Sequence, residues 1–191
     1  CGPWTGRLTR PLDEGAGAIT LSGGRGGAHG QGMRIEILAP GRLKDEAEAA
    51  IIARYQKRFD QTGRPCGLGP LTITDFAESR ASGSADRKAE EASRLLKAAA
   101  TASLVVLEVT GKPLTSEAFA AHLRSLADAG TKTCAFLIGG PDGHGPLVLS
   151  ASGLKLSLGP LTLPHGLARV VLTEQLYRAA TILTGHPYHR P

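Results

Sequence analysis

The chain of 191 residues is poor in cysteine and has no long apolar run. Its three cysteines, Cys1, Cys66 and Cys134, are widely spaced and form no CxxC pair, which argues against a disulfide framework and against a zinc knuckle. No apolar run reaches the roughly 18 residues that a membrane-spanning helix needs. Cys134 lies in the apolar stretch CAFLI and is expected to be buried. Together these absences predict a reduced, cytoplasmic protein without a membrane partner.

The common signatures of several enzyme classes are also missing. The chain contains neither a Walker phosphate loop nor a GxSxG nucleophile motif. GGPDGHG follows an apolar, strand-like run, but it does not match GxGxxG in the strand–turn–helix register that a dinucleotide needs. The two histidines of HPYH are three residues apart and have no third ligand, so no metal site is predicted.

What the chain does have is an excess of positive charge. Its 22 Lys and Arg residues outnumber 17 Asp and Glu residues, and the net charge of +5 corresponds to a pI near 9.4. Such an excess favours a polyanionic partner, with nucleic acid as the first candidate. A mildly basic protein without such a partner is an equal alternative on charge alone.

The first 32 residues differ in composition from everything that follows. They hold ten of the 25 glycines and the only tryptophan, and they show almost no strand or helix periodicity. Such a segment cannot bury enough apolar surface to offset the entropy of ordering it. We therefore expect residues 1–32 to be a disordered or non-native extension and residues 33–191, which begin at the only methionine, to be the folded domain. The alternative is a flexible glycine- and arginine-containing arm that touches RNA.

From residue 33 onward, strand-like and helix-like patterns alternate. The predicted strands cover residues 34–39, 71–76, 103–109, 134–138 and 154–158. The predicted helices cover residues 45–60, 86–100, 116–130 and 168–185, with Thr115 or Ser116 as a cap. This alternation predicts an α/β fold in which helices cover both faces of a mostly parallel sheet. A ligand is then expected at the carboxyl ends of the strands, in the loops after Val109, Ile138 and Leu158.

These three loops read EVTGKP, IGGPDG and LGPLTLPH, and each carries glycine or proline. Glycine lets a ligand approach the backbone closely, and proline stiffens the chain path. Loops of this kind suit an adenosine-like ligand that is read by main-chain groups. Ordinary strand–helix connections remain an equal alternative from the residues alone.

Several stretches together resemble one known family. IGGPDG, LTLPHGLARVVLTEQLYRA and the terminal HPYHR, in order with RIEILAPGRLKDE and VLEVTGKPLTSEAFA, are similar to the SPOUT-class methyltransferases that methylate N3 of a pseudouridine in large-subunit ribosomal RNA, the RlmH or YbeA-like family. The resemblance covers residues 33–191 and none of residues 1–32.

The resemblance implies a C-terminal trefoil knot, bound S-adenosylmethionine and a homodimer with its sites at the subunit interface. The implied substrate is helix 69 of 23S ribosomal RNA on assembled ribosomes. Two alternatives stay open: a non-enzymatic RNA-binding or ribosome-assembly factor, and a SPOUT enzyme that acts on tRNA or on another ribosomal site. In all of these, no metal is expected.

The resemblance also implies roles for individual residues. The residues expected to line the cofactor site are Leu107, Gly139, Leu158, Gly159, Pro160, Leu161, Thr162 and Leu163. The residues expected to face the RNA are His165, Arg178, Tyr188, His189 and Arg190, of which Tyr188, His189 and Arg190 form the catalytic tail without an assigned base. Pro160 stands where the family often has a small polar residue, and because proline lacks an N–H, one backbone contact to the cofactor is expected to be lost.

The last predicted helix is apolar on nearly all sides. The residues that make it so are Val170, Val171, Leu172, Leu176, Tyr177, Ile182 and Leu183. A helix of this kind must be buried on most faces, and one domain can cover only part of it. The pattern therefore agrees with the implied homodimer.

Overall fold

A computed structural model describes residues 32–190, so the predicted N-terminal extension lies outside the described residues apart from Gly32. The strands are β1 Met33–Pro40, β2 Leu68–Phe76, β3 Ser103–Pro113, β4 Thr133–Leu137 and β5 Leu154–Ser157. The helices are α1 Glu46–Gly63, α2 Ser84–Ala99, α3 Ser116–Asp128, α4 Pro146–Ala151 and α5 His165–Thr184, with a short 3₁₀ turn at Arg64–Cys66.

The five strands form one sheet in the order β2-β1-β4-β3-β5, and every neighbouring pair is parallel. Side chains alternate between its two faces, as the period of a strand requires. In β4, Cys134 and Phe136 pack into a core with α1, α3 and α5, whereas Ala135 and Leu137 pack with α2 and α4. The predicted α/β architecture, with a parallel sheet covered on both faces, is confirmed. The C-terminal knot stays a prediction.

The expected burial of Cys134 is also confirmed. Its side chain is fully buried, and burial raises the pKa of its thiol to about 12. The thiol therefore stays protonated and serves as a small apolar core group.

The structure corrects the predicted elements at several points. The break predicted at residues 110–113 is wrong, because β3 continues to Pro113 through a bulge against β5 between Leu107 and Lys112. A Cβ at Gly111 would lie 2.7 Å from the carbonyl oxygen of Lys155, so only glycine fits this bulge. α4 was missed because six residues are too few to show a helical period. α5 begins at His165, three residues earlier than predicted.

Two predicted helix ends are correct. Thr115 caps α3, since its side chain accepts a hydrogen bond from the N–H of Ala118 at 3.2 Å. Gly185 ends α5 with φ of 68°, the left-handed conformation that glycine adopts most easily. Within the described part of the chain, no helix is both long and apolar enough to cross a membrane.

The apolar sides of α5 are largely covered within the chain itself. Leu172, Leu176 and Tyr177 are buried in the core shared with α1 and α3. The remaining apolar residues of the helix are half-buried: Val170, Val171, Ile182 and Leu183. The helix thus keeps a partly open apolar surface after its own domain has folded.

Candidate functional site

A cavity of about 550 Å³ opens at the carboxyl ends of β3, β4 and β5. Three segments line it: the bulge of β3, the loop after β4 and the loop between β5 and α5. In a parallel sheet these ends meet at one edge, which is where ligands bind in folds of this class. The loop predicted after Val109 is in fact the bulged part of β3, so the segment lies where expected but has a different structure.

The loop after β4 is folded tightly on itself. The N–H of Gly143 donates to the carbonyl of Gly140 at 2.9 Å, and a Cβ at Gly139 would come within 3.0 Å of the backbone of Gly143. Gly143 itself has φ of 78°. The glycines therefore allow the loop to close on itself, and they leave its backbone at the cavity wall.

An ion pair fastens this loop to α2. Arg87 Nε donates to Asp142 Oδ2 at 2.6 Å and Arg87 Nη2 to Asp142 Oδ1 at 3.1 Å, while Nη1 donates to the carbonyls of Ala81 and Ser82. The Arg87 guanidinium holds the pKa of the Asp142 carboxyl below its usual value. No local pattern in the sequence indicates this contact, because 55 residues separate the two partners.

The loop after β5 is tied to the β3 bulge through Ser157. Its hydroxyl lies 3.0 Å from the carbonyl oxygen of Val109, and it accepts a hydrogen bond from the N–H of Gly159 at 3.2 Å. Gly159 has φ of 126°, a conformation that few other residues adopt. Ser157 and Gly159 together fix how this loop leaves the sheet.

Seven of the eight predicted cofactor residues line the cavity: Leu107, Gly139, Leu158, Gly159, Leu161, Thr162 and Leu163. Pro160 does not line the cavity, and it is exposed. The expected loss of one backbone contact at Pro160 stays a prediction. That these residues hold a cofactor stays a prediction.

A buried histidine also lines the cavity. His144 is 8% exposed, and neither of its ring nitrogens has a hydrogen-bond partner among the described residues. Burial lowers the pKa of His144, and the nearby carboxylate of Glu108 and weaker contacts with the backbone of Leu137 and Leu107 oppose that shift only in part. The ring is therefore neutral at physiological pH. Sequence reasoning did not assign a role to His144.

The cavity end of α5 is anchored by a buried arginine. His165, the first residue of the helix, lines the cavity, and Arg169 follows one turn later with no exposed surface. Arg169 Nη2 donates to the carbonyls of Pro40 and Gly41, and Nη1 lies 3.6 Å from Asp75. Burial lowers the pKa of Arg169, although a guanidinium remains charged in proteins. This contact joins α5 to the end of β1, and the sequence did not reveal it.

The C-terminal tail is held by side chains. The Tyr188 ring lies 4.7 Å from the Tyr177 ring, and its hydroxyl donates to Glu174 Oε1 at 2.9 Å. His189 Nε2 lies 2.8 Å from Glu117 Oε1 on α3. Contacts within the chain therefore hold Tyr188 and His189 in place, whereas Arg190 is exposed.

Within one chain, however, the tail does not reach the cavity. Of the predicted RNA-facing residues, His165 lines the cavity, whereas Arg178, Tyr188, His189 and Arg190 do not. After Gly185 the chain turns back along the second half of α5, and Tyr177 lies about 14 Å along the helix axis from Ala168. Because the resemblance places the sites at the interface of a homodimer, the position of the tail beside a cofactor site stays a prediction for the dimer.

The environment of Tyr188 also limits its chemistry. Burial and hydrogen bonds with Tyr55 and Glu174 raise the pKa of its phenol above the usual value. Arg178 lies 5.0 Å above its ring and also donates to Glu174 at 2.6 Å. The raised pKa keeps the Tyr188 phenol protonated at neutral pH, so Tyr188 offers a hydrogen-bond donor and an aromatic surface.

Among residues 32–190, no group of three or more histidine, cysteine or acidic side chains is arranged to hold a metal ion. The donors around the cavity are instead backbone groups, two imidazoles, a threonine and one carboxylate. Such a set suits an organic ligand with a few polar groups.

Comparison with known proteins gives a consistent result. The family model described as "Predicted SPOUT methyltransferase" matches residues 33–189. A protein of Brucella anthropi named "Ribosomal RNA large subunit methyltransferase H" is 46% identical over 159 residues, which cover 83% of this chain and 99% of that protein. A protein of the same name from Brucella abortus (strain S19) is 45% identical over 168 residues, with the same coverage. A solved structure of a probable methyltransferase from Bordetella pertussis Tohama I is 16% identical, with a TM-score of 0.46 over 78% of this chain and 96% of its own.

Proposed function

The chain belongs to the SPOUT methyltransferase family, and we propose that it methylates N3 of a pseudouridine in helix 69 of 23S ribosomal RNA on the assembled ribosome. The coarser statement rests on the family and on the named relatives: the chain is an S-adenosylmethionine-dependent ribosomal RNA methyltransferase. The observation that carries the finer proposal is the match to relatives of that name over 99% of their length. A ribosomal substrate would also place the protein in the cytoplasm.

The cavity fits S-adenosylmethionine in size and in chemistry. Its volume of about 550 Å³ lies within the usual range for small-molecule sites. Its wall is largely apolar, and the buried ring of His144 has hydrogen-bonding capacity that no described residue uses. We propose that Leu107, Gly139 and residues 158–163 hold the cofactor, with Pro160 pointing away from it.

The bound cofactor supplies a methyl group that is already activated as a sulfonium. The protein must therefore position N3 of the base in line with that methyl group and exclude water. The N3 proton must also leave. Because the surroundings of Tyr188 favour its protonated form, we propose His189 or a water molecule as the first acceptor of that proton.

The RNA would be held by the remaining predicted residues. His165 lies at the cavity, and Arg178, Tyr188 and Arg190 offer cations and an aromatic ring along the second half of α5. A target base that leaves its stack costs a few kcal/mol, which stacking on an aromatic ring offsets in part. The proposed role of Tyr188 is therefore to stack or to donate a hydrogen bond.

A homodimer would unite the cavity with a tail. Two apolar side chains that line the cavity are exposed, Leu161 at 78% and Val109 at 46%, and Leu167 in the first turn of α5 is 43% exposed. Because a single chain holds its own tail away from its cavity, a second copy covering the cavity would both bury these side chains and supply the missing tail. Light scattering tests the dimer: a monomer at micromolar concentration contradicts it.

Mass spectrometry of 23S ribosomal RNA tests the function. We expect one methyl group to disappear from a pseudouridine of helix 69 when the gene is deleted, and to return when the purified protein and S-adenosylmethionine are added to those ribosomes. Methylation of free RNA or tRNA in place of ribosomes would contradict the proposed substrate. Calorimetric titration with S-adenosylmethionine tests cofactor binding separately.

A further inference from the structure

Three tyrosines pack together where α1 crosses the second half of α5. Tyr55 of α1 and Tyr177 of α5 have ring centroids 5.8 Å apart, and Tyr177 and Tyr188 have centroids 4.7 Å apart. The hydroxyls of Tyr55 and Tyr188 lie 3.4 Å from each other. We call these three residues the tyrosine cluster. It is a rigid platform, because all three rings pack against the main hydrophobic core.

Two arginines of α1 lie over this platform. Arg54 is centred 5.2 Å above the ring of Tyr55, and Arg58 lies 6.0 Å from Tyr55 and 5.9 Å from Tyr177. These distances are within the range of cation–π attraction. Because the rings restrict the guanidinium groups, less conformational entropy is lost when an anion binds them.

The positive charge of these arginines is not neutralised locally. Among the described residues, neither Arg54 nor Arg58 has a carboxylate within salt-bridge distance, and both are exposed. Glu174, the nearest acidic residue on α5, already accepts hydrogen bonds from Arg178, Gln175 and Tyr188.

The carboxylate of Asp60, on the same helix as the two arginines, is also engaged. It accepts a hydrogen bond from the N–H of Leu71 at 2.8 Å, which directs it toward β2. The exposed Lys57 adds further positive charge between Arg54 and Arg58. The surface therefore carries an uncompensated charge that suits an anion.

We propose that Arg54 and Arg58, supported by the tyrosine cluster, bind backbone phosphates of the ribosomal RNA at a site separate from the cavity. The proposal rests on the proposed function, since it takes RNA as the substrate. A guanidinium matches phosphate geometry with two parallel N–H donors, and the aromatic rings behind it leave those donors free. Neither arginine belongs to the tail or to the cavity wall.

The position of the site is compatible with one RNA strand reaching both regions. Tyr177 lies about 14 Å along α5 from the cavity residue Ala168, at 1.5 Å per residue. A stacked strand carries one phosphate about every 3.4 Å, so about four nucleotides cover this distance. Within one chain the two arginines thus lie about four nucleotides from the cavity, whereas in the proposed dimer the tail would bring them to the cavity of the partner subunit.

The test is the salt dependence of ribosome binding by the double variant Arg54→Ala/Arg58→Ala. Removing two phosphate contacts should lower the slope of log affinity against log salt by about 1.4 to 1.8, and weaken binding on the order of tenfold at 0.1 M salt. The affinity for S-adenosylmethionine, measured by calorimetry, should stay unchanged. Arg54→Lys/Arg58→Lys keeps the charge and should restore most of the slope.

A matched control removes the same charge from the opposite face of the sheet. Arg94→Ala/Lys97→Ala, on α2, should leave the slope unchanged, because α2 packs on the other face of the sheet and Arg94 is already bonded to Glu90 and to the carbonyl of Ala77. An unchanged slope in the α1 double variant would overturn the proposal while the proposed function stood. A double variant that changes from dimer to monomer in light scattering would also overturn it, since the face would then be a subunit interface. Wild-type protein that binds neither ribosomes nor S-adenosylmethionine would overturn the proposed function itself.

Discussion

The two ends of α5 build their surroundings in different ways. At the start of the helix, the cavity is made largely of backbone and apolar side chains, with glycines that close a loop and one buried arginine that anchors the helix. At the end of the helix, side chains dominate: tyrosines stack, arginines lie over them, and Glu174 joins Arg178 to Tyr188. The structure around the start of the helix therefore depends mainly on close packing, and the structure around its end depends mainly on charge and hydrogen bonding.

This difference determines how each region responds to change. An added methyl group near the cavity collides with backbone that cannot move far, whereas the same change in the tail is absorbed at the surface. Removing a charged side chain lowers the free energy of unfolding strongly where its partners are buried, and only slightly where water can replace it. The predictions below test this contrast, beginning with the largest expected effect.

The largest expected difference is between Arg169, which is buried, and Arg178, which is partly exposed, in the free energy of unfolding that each substitution costs. Arg169→Met leaves the carbonyls of Pro40 and Gly41 without their donor and Asp75 without its partner, so we expect a loss of about 3 kcal/mol in the free energy of unfolding. Arg178→Met, the matched change at the other end, should cost less than about 1 kcal/mol because its ion pair is partly exposed. Urea denaturation measures both, and equal losses would contradict the contrast.

The tail should be needed for methylation of ribosomes but should contribute little to the affinity for S-adenosylmethionine. Truncation after Gly185 removes Tyr188 and His189 but no helix or strand, so folding and the affinity for S-adenosylmethionine should be retained. Methyl transfer to ribosomes should fall strongly. Tyr188→Ala alone should cost about 1–3 kcal/mol in ribosome binding, the usual value for one base–aromatic stack. Full methylation activity after truncation would show that the RNA is held elsewhere.

A single added methyl group in the loop after β4 should weaken cofactor binding. A Cβ at Gly139 would lie 3.0 Å from backbone carbon of Gly143, so Gly139→Ala must shift the loop and should weaken binding of S-adenosylmethionine by about 1 kcal/mol, roughly fivefold. Gly153→Ala is the matched control, because its Cβ would meet only a carbonyl oxygen at an ordinary 3.5 Å. Calorimetry separates the two, and equal affinities would remove the loop from the cofactor site.

The same contrast explains which features could be predicted from sequence. Strands of regular period and buried apolar residues, such as Cys134, follow from local pattern, and so do caps such as Thr115 and Gly185. Contacts between distant residues do not, because no local pattern encodes them. Arg169 was missed since its acceptors, Pro40 and Gly41, are almost 130 residues away.

Position along the chain also misled the interpretation of single residues. Pro160 stands between Gly159 and Leu161, which both line the cavity, yet its own side chain turns outward after the unusual φ of Gly159. The tail follows directly on α5, yet Gly185 reverses its direction and keeps it from the cavity. In both cases the residue types predict a glycine turn but not the direction that the chain takes after it.

The smallest expected effects concern the pH dependence of stability. The cavity region should lose stability at acid pH and the tail region at alkaline pH. At the cavity, Arg87 lowers the pKa of Asp142, so this ion pair is fully formed above the ordinary aspartate pKa near 4 and is lost as the pH falls through the lowered value. At the tail, burial raises the pKa of Tyr188, so its contribution is fully present below the ordinary tyrosine pKa near 10 and is lost as the pH rises through the raised value. Asp142→Asn should therefore remove part of the loss of stability at acid pH. Tyr188→Phe should remove part of the loss of stability at alkaline pH. Neither variant should change the pH dependence of stability between about pH 5 and 9. Denaturant unfolding across the pH range measures both. The contrast would not hold if Tyr188→Phe changed the loss of stability at acid pH, or if Asp142→Asn changed the loss at alkaline pH. Either result would mean that the cavity region and the tail region are coupled.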